Sequence, residues 1–392
     1  MLQATSILRF LSLRRSHNII VSLCLVLVFV SCRTAPGSIP NAVHTFLDRV
    51  VDEHELTGLT AAIYADDKLQ TYARGMSDTS QQIIMKPSDC LMSGSTGKTF
   101  VAAIVMKLIE EGQISLDDHL RKWLGTVSFF NEIPNADDIT IRMLLSHRTG
   151  WIQHVFESKQ FIGELLEQLK SNPDKYYKPE ELFYAVTYDE ALFEAGTSHH
   201  YSDMNYIGLG LIIEKVTGKA FYSVLKEEIL APFNLTRTIP ADRRNLPCLV
   251  NGYMKDDDPF AFLSSTSMIG PELAFNPSVE WTGGGLVTNS GDLAKWASIL
   301  WSGDWLSEGS VDQMCAIEGD ADYGYGFGTQ VVKTELGWVF GHGGYFPGYR
   351  TMMGYFPEHD IGVAIQINRD HEVGSLLAHM TMLAQAYLAD NK

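Results

Sequence analysis

Cysteine is scarce and shows no metal-binding pattern. The 392 residues hold five, Cys24, Cys32, Cys90, Cys248 and Cys315, and none stand at the Cys-x-x-Cys spacing of a zinc or redox site. No His-x-His-x-Asp run offers another ligand set. The adjacent pair His199-His200 is poorly placed to share one ion and reads as turn or rim. No metal or other cofactor is expected. Positive charge is also short: 30 Lys and Arg face 47 Asp and Glu, a formal charge of −17. Residues 1–31 contain three arginines and no acid, so the rest of the chain carries −20. Such a body repels phosphate backbones, which argues against a nucleic-acid partner. Internal repeats and low-complexity tracts are absent. What remains is 45% hydrophobic and 20% charged, ordinary globular values in a chain long enough for one large domain or two.

One long apolar run exists, Ile19 to Val30, behind Arg9, Arg14 and Arg15. It is short for a bilayer span but suits the core of an export signal. The run ends at Phe29-Val30-Ser31-Cys32, which resembles a bacterial lipoprotein cleavage box with Phe29 where leucine is usual. That resemblance implies lipidation of Cys32, the alternative being a plain secretory signal. Residues 32–39 (CRTAPGSI) form a Pro/Gly/Ser tether. Among Cys90, Cys248 and Cys315 the pairing is not readable from sequence, and buried free thiols are the expectation.

Apolar residues at helical spacing predict a helix over 40–55, and two strands follow at 59–64 and 68–74. From 116 to about 235 the pattern is mostly helical, with an interruption near Gly218. Residues 236–280 are mixed and polar and read as irregular. After Gly283 a glycine-rich approach leads to a helix opened by Ser290 or Asp292. Strand-like stretches follow at 323–332, at 337–340 with 349–356, and at 362–368, before an amphipathic helix over 373–389. Strands at both ends of the chain and helices between them imply one antiparallel sheet built from both ends, flanked by helices, with a helical region inserted. This is a mixed α/β (α+β) class.

The chain is organised around SGSTGKTFVAAIVMKLIEEG, residues 93–112. Small residues lead into Lys98, and the following stretch is apolar almost all round, as a buried helix is. Ser95 falls in its first turn and Lys98 lies three residues on, on the same face. A hydroxyl and an amine at a buried helix start suggest a nucleophile and its base. Ser223 and Lys226 repeat the spacing beside Glu227 and Glu228, and read as an exposed helix face. Gly97-Lys98-Thr99 ends like a phosphate loop, but Met92 stands where that motif needs glycine.

Ser95-Thr96-Gly97-Lys98, Tyr201-Ser202-Asp203 and His342-Gly343-Gly344 occur in that order. Together they resemble the three motifs of the serine β-lactamase and penicillin-binding-protein superfamily, in its class C β-lactamase and D-Ala-D-Ala carboxypeptidase branch, which also holds esterases and peptidases. LLSHRTG at 144–150, NYIGLGLIIEKVTGKAF at 205–221 and GGLVTNSGDLAKW at 284–296 are similar too. The resemblance implies a β-lactamase/transpeptidase-like fold, with a signal peptide at 1–31, a tether at 32–39 and one serine hydrolase domain at 40–392. The sheet part would span about 40–115 and 281–392, and the helical part about 116–280.

The same resemblance implies that Ser95 becomes acylated, that Lys98 accepts its proton, and that Tyr201 is partner base and later acid. The backbone N–H groups of Ser95 and Tyr345 would form the oxyanion hole. Asp203, His342, Gly343 and Gly344 would contact substrate. Two positions depart from the β-lactamase pattern. His342 replaces a lysine and would bind a carboxylate only when protonated. Asp203 replaces an asparagine; it would make Lys98 a worse base, or hold a substrate ammonium, or cap the following helix. The implied function is an exported hydrolase of the bacterial envelope or periplasm, acting on amides of D-amino-acid peptides or on β-lactams. Carboxylester hydrolysis on the same site, and a penicillin sensor that acylates without turnover, are the alternatives. The partner is a small-molecule or peptide substrate, with membrane contact only through lipid at Cys32.

Overall fold

Strand Gly58–Ala65 (β1) pairs with strand Ile361–Ile367, so the two ends of the sequence meet in the middle of one sheet. The computed structural model describes residues 41–261, 264–319 and 321–391; the signal segment, the tether and Cys32 lie outside them. The sheet's other strands are β2 (Lys68–Asp78), β3 (Ile83–Ile84), β4 (Tyr323–Tyr325), β5 (Gln330–Thr334), β6 (Gly337–Phe346) and β7 (Tyr349–Phe356), which makes Ile361–Ile367 β8. All eight are antiparallel to their neighbours, in the order β3-β2-β1-β8-β7-β6-β5-β4. The antiparallel sheet with flanking helices is the fold class read from sequence.

The central strands are apolar on both faces because both are covered. Ile63 and Val363 face each other across β1 and β8, as do Ala61 and Ile365. These side chains join a core with Val43, Leu47 and Val50 of helix α1 (Ala42–Glu53) and Leu383 of the last helix, Leu376–Asp390. The intervening pair, Ala62 and Ala364, points the other way into the core that holds Phe100 and Trp296, as the two-residue period of a strand requires. Asp390 accepts the first backbone N–H groups of α1, from Ala42 at 2.8 Å and Val43 at 3.1 Å. A carboxylate at a helix N-terminus is favourable, and here it ties the first helix to the last.

Helix α2 (Lys98–Glu110) is buried along almost its whole length, as its missing polar stripe implies. Phe100 stacks on Trp296 with ring centres 4.6 Å apart, and the Trp296 indole donates to Thr99 Oγ1 at 3.0 Å. Trp296 belongs to helix Ser290–Ser302, which begins at Ser290 as expected and is capped by Asn289, whose side chain accepts from Asp292 N at 2.9 Å. Helix α3 (Asp203–Thr217) is capped by Ser202 and stopped at Gly218, whose φ of +70° is the left-handed value glycine tolerates.

Three readings are corrected. The strand expected over 323–332 is broken into β4 and β5 by a turn at 326–329. β6 does not end at Phe340 but runs through the glycines to Phe346. Cys90 and Cys248 are joined in a disulfide with Cα atoms 5.1 Å apart, while Cys315 is free. The expectation of free thiols fails because a backbone bridge holds these segments together: Cys90 N donates to Cys248 O at 2.8 Å, and Val250 N to Cys90 O at 3.0 Å.

Candidate active site

Ser95 sits in a 3-10 turn, Gly94–Gly97, that runs directly into α2. The turn is held from three sides. The preceding strand Leu91–Met92 pairs with Leu286–Thr288. Ser93 Oγ donates to Gly284 O at 2.9 Å. β6 passes so close that a β-carbon on Gly344 would collide with Ser93 O, and one on Gly94 would collide with the backbone of Tyr345. Only glycine allows that approach. It brings Ser95 N and Tyr345 N to the same corner of a cleft of about 910 Å³. β5 covers β6 only as far as Gly341, so His342 onward presents an edge to the cleft.

Lys98 is fully buried and its ammonium donates three hydrogen bonds. The acceptors are Ser95 Oγ at 3.1 Å, Asp203 Oδ1 and the Gly283 carbonyl. A protonated amine has three N–H bonds to give, so the geometry is that of a charged lysine. Burial alone would push its pKa down. The Asp203 charge and hydrogen bond, with Tyr201, outweigh burial and hold it above the ordinary lysine value. Tyr201 lies against this group, with Lys98 Nζ 5.0 Å from its ring centre. Burial raises the Tyr201 pKa, and the Lys98 charge opposes that rise. Its buried hydroxyl lies within interaction range of Lys98 and Ser95, although no contact to it has the geometry of a full hydrogen bond.

Asp203 is neither a helix cap nor a free acid. Ser202 caps α3, and both Asp203 oxygens are engaged, Oδ1 by Lys98 and Oδ2 by Gln153 Nε2 at 2.7 Å. Gln153 Oε1 in turn accepts from Asp203 N at 3.2 Å. The ammonium-binding reading of Asp203 therefore has no free oxygen to rest on.

His342 is 1% exposed, and both ring nitrogens are in use. Asn205 Nδ2 and Ser202 N point at His147 Nδ1, at 2.9 and 3.2 Å, which puts the His147 proton on Nε2, 3.2 Å from the Tyr325 hydroxyl. That hydroxyl lies 3.0 Å from His342 Nε2, and His342 Nδ1 donates to Gly343 O at 2.6 Å. Donors and acceptors alternate along this chain only if both imidazoles are neutral. Burial, then the Lys98 charge, pushes the His342 pKa down to about 3, and the same causes hold His147 well below the ordinary value. That environment disfavours the protonated His342 that carboxylate binding near pH 7 would need.

Gly343 N donates to Gln330 Oε1 at 3.0 Å. His199 and His200 lie on the cleft rim, His200 Nε2 being 2.8 Å from Glu157 Oε2. Among the described residues no group of three or more His, Cys, Asp or Glu is placed to hold a metal ion.

A nucleophile-bearing turn, a lysine behind it and a glycine-rich strand edge in front are the layout of one family, and the beta-lactamase family profile matches residues 43–386. The chain belongs to the beta-lactamase family. Its serine-hydrolase class is that of the β-lactamases and penicillin-binding proteins. Penicillin-binding protein 4* of Bacillus subtilis is 24% identical over 341 residues, 81% of this chain and 69% of that protein. Unguisins hydrolase of Aspergillus campestris is 24% identical over 343 residues, covering 82% of this chain and 60% of its own length. Among solved structures, a D-stereospecific amidohydrolase from Streptomyces sp. aligns with a TM-score of 0.73 at 25% identity, over 88% of this chain and 97% of that one. A D-amino acid amidase from Ochrobactrum anthropi aligns at 0.74 and 21% identity, over 90% and 99%.

Sequence reasoning missed Gln153, His147, Tyr325, the Gly283 carbonyl and Glu280, all of which shape this site. His147 stood inside LLSHRTG and Tyr325 inside a predicted strand, so only their partners were hidden. Nothing local marks Gln153 or Glu280.

Proposed function

We propose that this family member is an exported amidohydrolase that cleaves amide bonds of D-amino acid derivatives through an acyl-enzyme on Ser95. The observation that carries the reading is Ser95 Oγ on a charged, buried Lys98, with the Tyr201 hydroxyl beside them and Ser95 and Tyr345 lining the same cleft. Because Asp203 keeps Lys98 protonated, Tyr201 is the group that must lose a proton to become the base. The neighbouring ammonium stabilises its phenolate. As Ser95 Oγ bonds to the substrate carbonyl carbon, its proton passes to the Tyr201 phenolate. The oxyanion is held by Ser95 N and Tyr345 N, each such donor contributing about a hundredfold in rate. The C–N bond then breaks, Tyr201 gives its proton to the leaving amine, and the phenolate that remains activates water for deacylation.

Neutral His342 favours amides without a carboxylate beside the scissile bond over β-lactams, and the Streptomyces amidohydrolase supports a D-configured substrate. Comparing D- and L-phenylalanine amides with a nitrophenyl butyrate ester and a chromogenic cephalosporin tests this. The D-amide should lead, with a transient acyl mass on the Ser95 peptide. Turnover of the ester alone would establish the esterase instead, and a lasting penicillin adduct without product would establish the sensor. Export is supported by the Cys90–Cys248 disulfide, since such bonds persist in oxidising compartments. If Cys32 carries a lipid, Cys32→Ser should move the protein from the membrane to the soluble fraction; an unchanged distribution would reject the anchor.

A further inference from the structure

The acids that line the cleft differ in one respect. Asp203 is saturated by Lys98 and Gln153. Glu157 accepts from Gln153 N at 2.9 Å and faces His200. Glu280 also lines the cleft, with Ser95, and is half-buried. Among the described residues its carboxyl group has no hydrogen-bond or ion-pair partner. An acid held partly out of water beside another carboxylate, with Lys98 as the only opposing charge, holds its proton more tightly than usual, and a cation brought against it would favour the ionised form.

We propose that Glu280 receives a free ammonium group on the acyl side of the substrate, so that the enzyme selects D-aminoacyl amides and peptides with an unblocked amine over N-acylated ones. This rests on the amidohydrolase reading above and assigns the substrate class within it. The ammonium role suggested by sequence for Asp203 passes to an acid that is free to take it.

The placement of Glu280 is rigid. Its N–H donates to Pro277 O at 3.0 Å, and Gly283 N donates to its carbonyl at 2.6 Å. The next residue, Trp281, is buried with a φ of +33°, a conformation bulky side chains avoid and one that collects at functional sites. The same short turn delivers the Gly283 carbonyl to Lys98, so the acid and the catalytic ammonium are positioned by one piece of backbone. The charged groups facing Glu280 are Asp203 and Lys98; the Tyr222 hydroxyl, bound to Gly285 O, is its other titratable neighbour. Burial, and then the Asp203 charge, raises Glu280 to about 8, with Lys98 opposing. An α-amino group titrates at about 7.7–8.0. The ion pair needs one proton between the two groups, so its strength should peak near pH 8 and fall on both sides.

The test is binding, which needs no turnover. D-Phenylalanine amide and its N-acetyl derivative are titrated calorimetrically into the full-length Ser95→Ala protein at pH 6, 8 and 10. The free amine should bind about tenfold to a hundredfold more tightly at pH 8, and this preference should shrink at pH 6 and 10. Adding Glu280→Gln should abolish the preference, while Glu280→Asp should keep part of it. Equal weakening of both ligands by Glu280→Gln, a preference it leaves intact, a pH-independent preference, or no binding of either amide would each overturn the proposal. Failure of wild-type protein to turn over D-amides, with the binding preference present, would count against the amidohydrolase reading alone.

Discussion

The chain contains the same serine–lysine spacing twice, and the two copies could hardly be more different. Lys98 is fully buried, with three acceptors around its ammonium and the rings of Tyr201 and Tyr206 at 5.0 and 5.6 Å. Ser223 and Lys226 are both exposed, at the junction of the short helix Phe221–Leu225 with the turn Lys226–Leu230, and Lys226 has no side-chain partner among the described residues. Spacing brings two side chains onto one helix face. It does not supply the dry surroundings, the opposing carboxylate or the facing N–H groups that make a hydroxyl reactive. The carboxylate comes from Asp203, 105 positions after Lys98, and the second N–H group from Tyr345, farther still along the chain.

The largest effect that would sharpen this contrast is on turnover. Ser95→Ala should lower the rate of amide hydrolysis by roughly 10³- to 10⁶-fold, whereas Ser223→Ala should leave it within error. A Ser95→Ala enzyme with residual rate close to wild type would erase the distinction. The lysines should part in stability as well. Lys98→Met strands the Asp203 carboxylate in a buried site, and removing one partner of a buried pair typically costs about 3–5 kcal/mol. Lys226→Met should change stability by no more than about 0.5 kcal/mol. Denaturant unfolding of the two variants measures both. Because the Lys98 pKa is raised on folding, the stabilisation from its ion pair is fully present below the unfolded value of about 10.4 and is lost as pH rises through the folded one.

The same contrast explains what could be read from residues in order. The sheet was legible because apolar runs of β1, β7 and β8 are bounded by turn residues such as Pro347-Gly348, and because a helix without a polar stripe must be buried. β6 was read short because Gly341, Gly343 and Gly344 look like a break, whereas the strand continues through them and Gly344 lets it pass against Ser93. Asp203 was recognised as unusual but its direction was not, since Lys98 and Gln153 reach it only after α2 and α3 pack. The protonation of His342 was left conditional in sequence for a related reason. A motif gives the residue type, while its titration follows from burial and from the Lys98 charge behind it. The disulfide joins cysteines 158 positions apart, and Glu280 lies at the end of a stretch with no periodic pattern at all.

The smallest but most informative change converts the site toward the usual asparagine. Asp203→Asn keeps the shape and a hydrogen-bonding oxygen for Lys98, yet removes the negative charge. Burial then dominates at Lys98 and drives its pKa down, and Tyr201 loses one of the charges that raise its own. The two groups titrate as a pair. In the wild type the productive form is phenolate beside ammonium, so kcat/KM should climb with pH through the alkaline range. In Asp203→Asn the pair loses its proton more easily, Lys98 itself becomes competent as a base, and the rising limb should move to lower pH. A pH–rate profile of both proteins on D-phenylalanine amide measures the displacement. A limb that stays in place would mean that Asp203 does not set the protonation of Lys98. A limb displaced toward higher pH would mean that the carboxylate had been helping the base rather than restraining it.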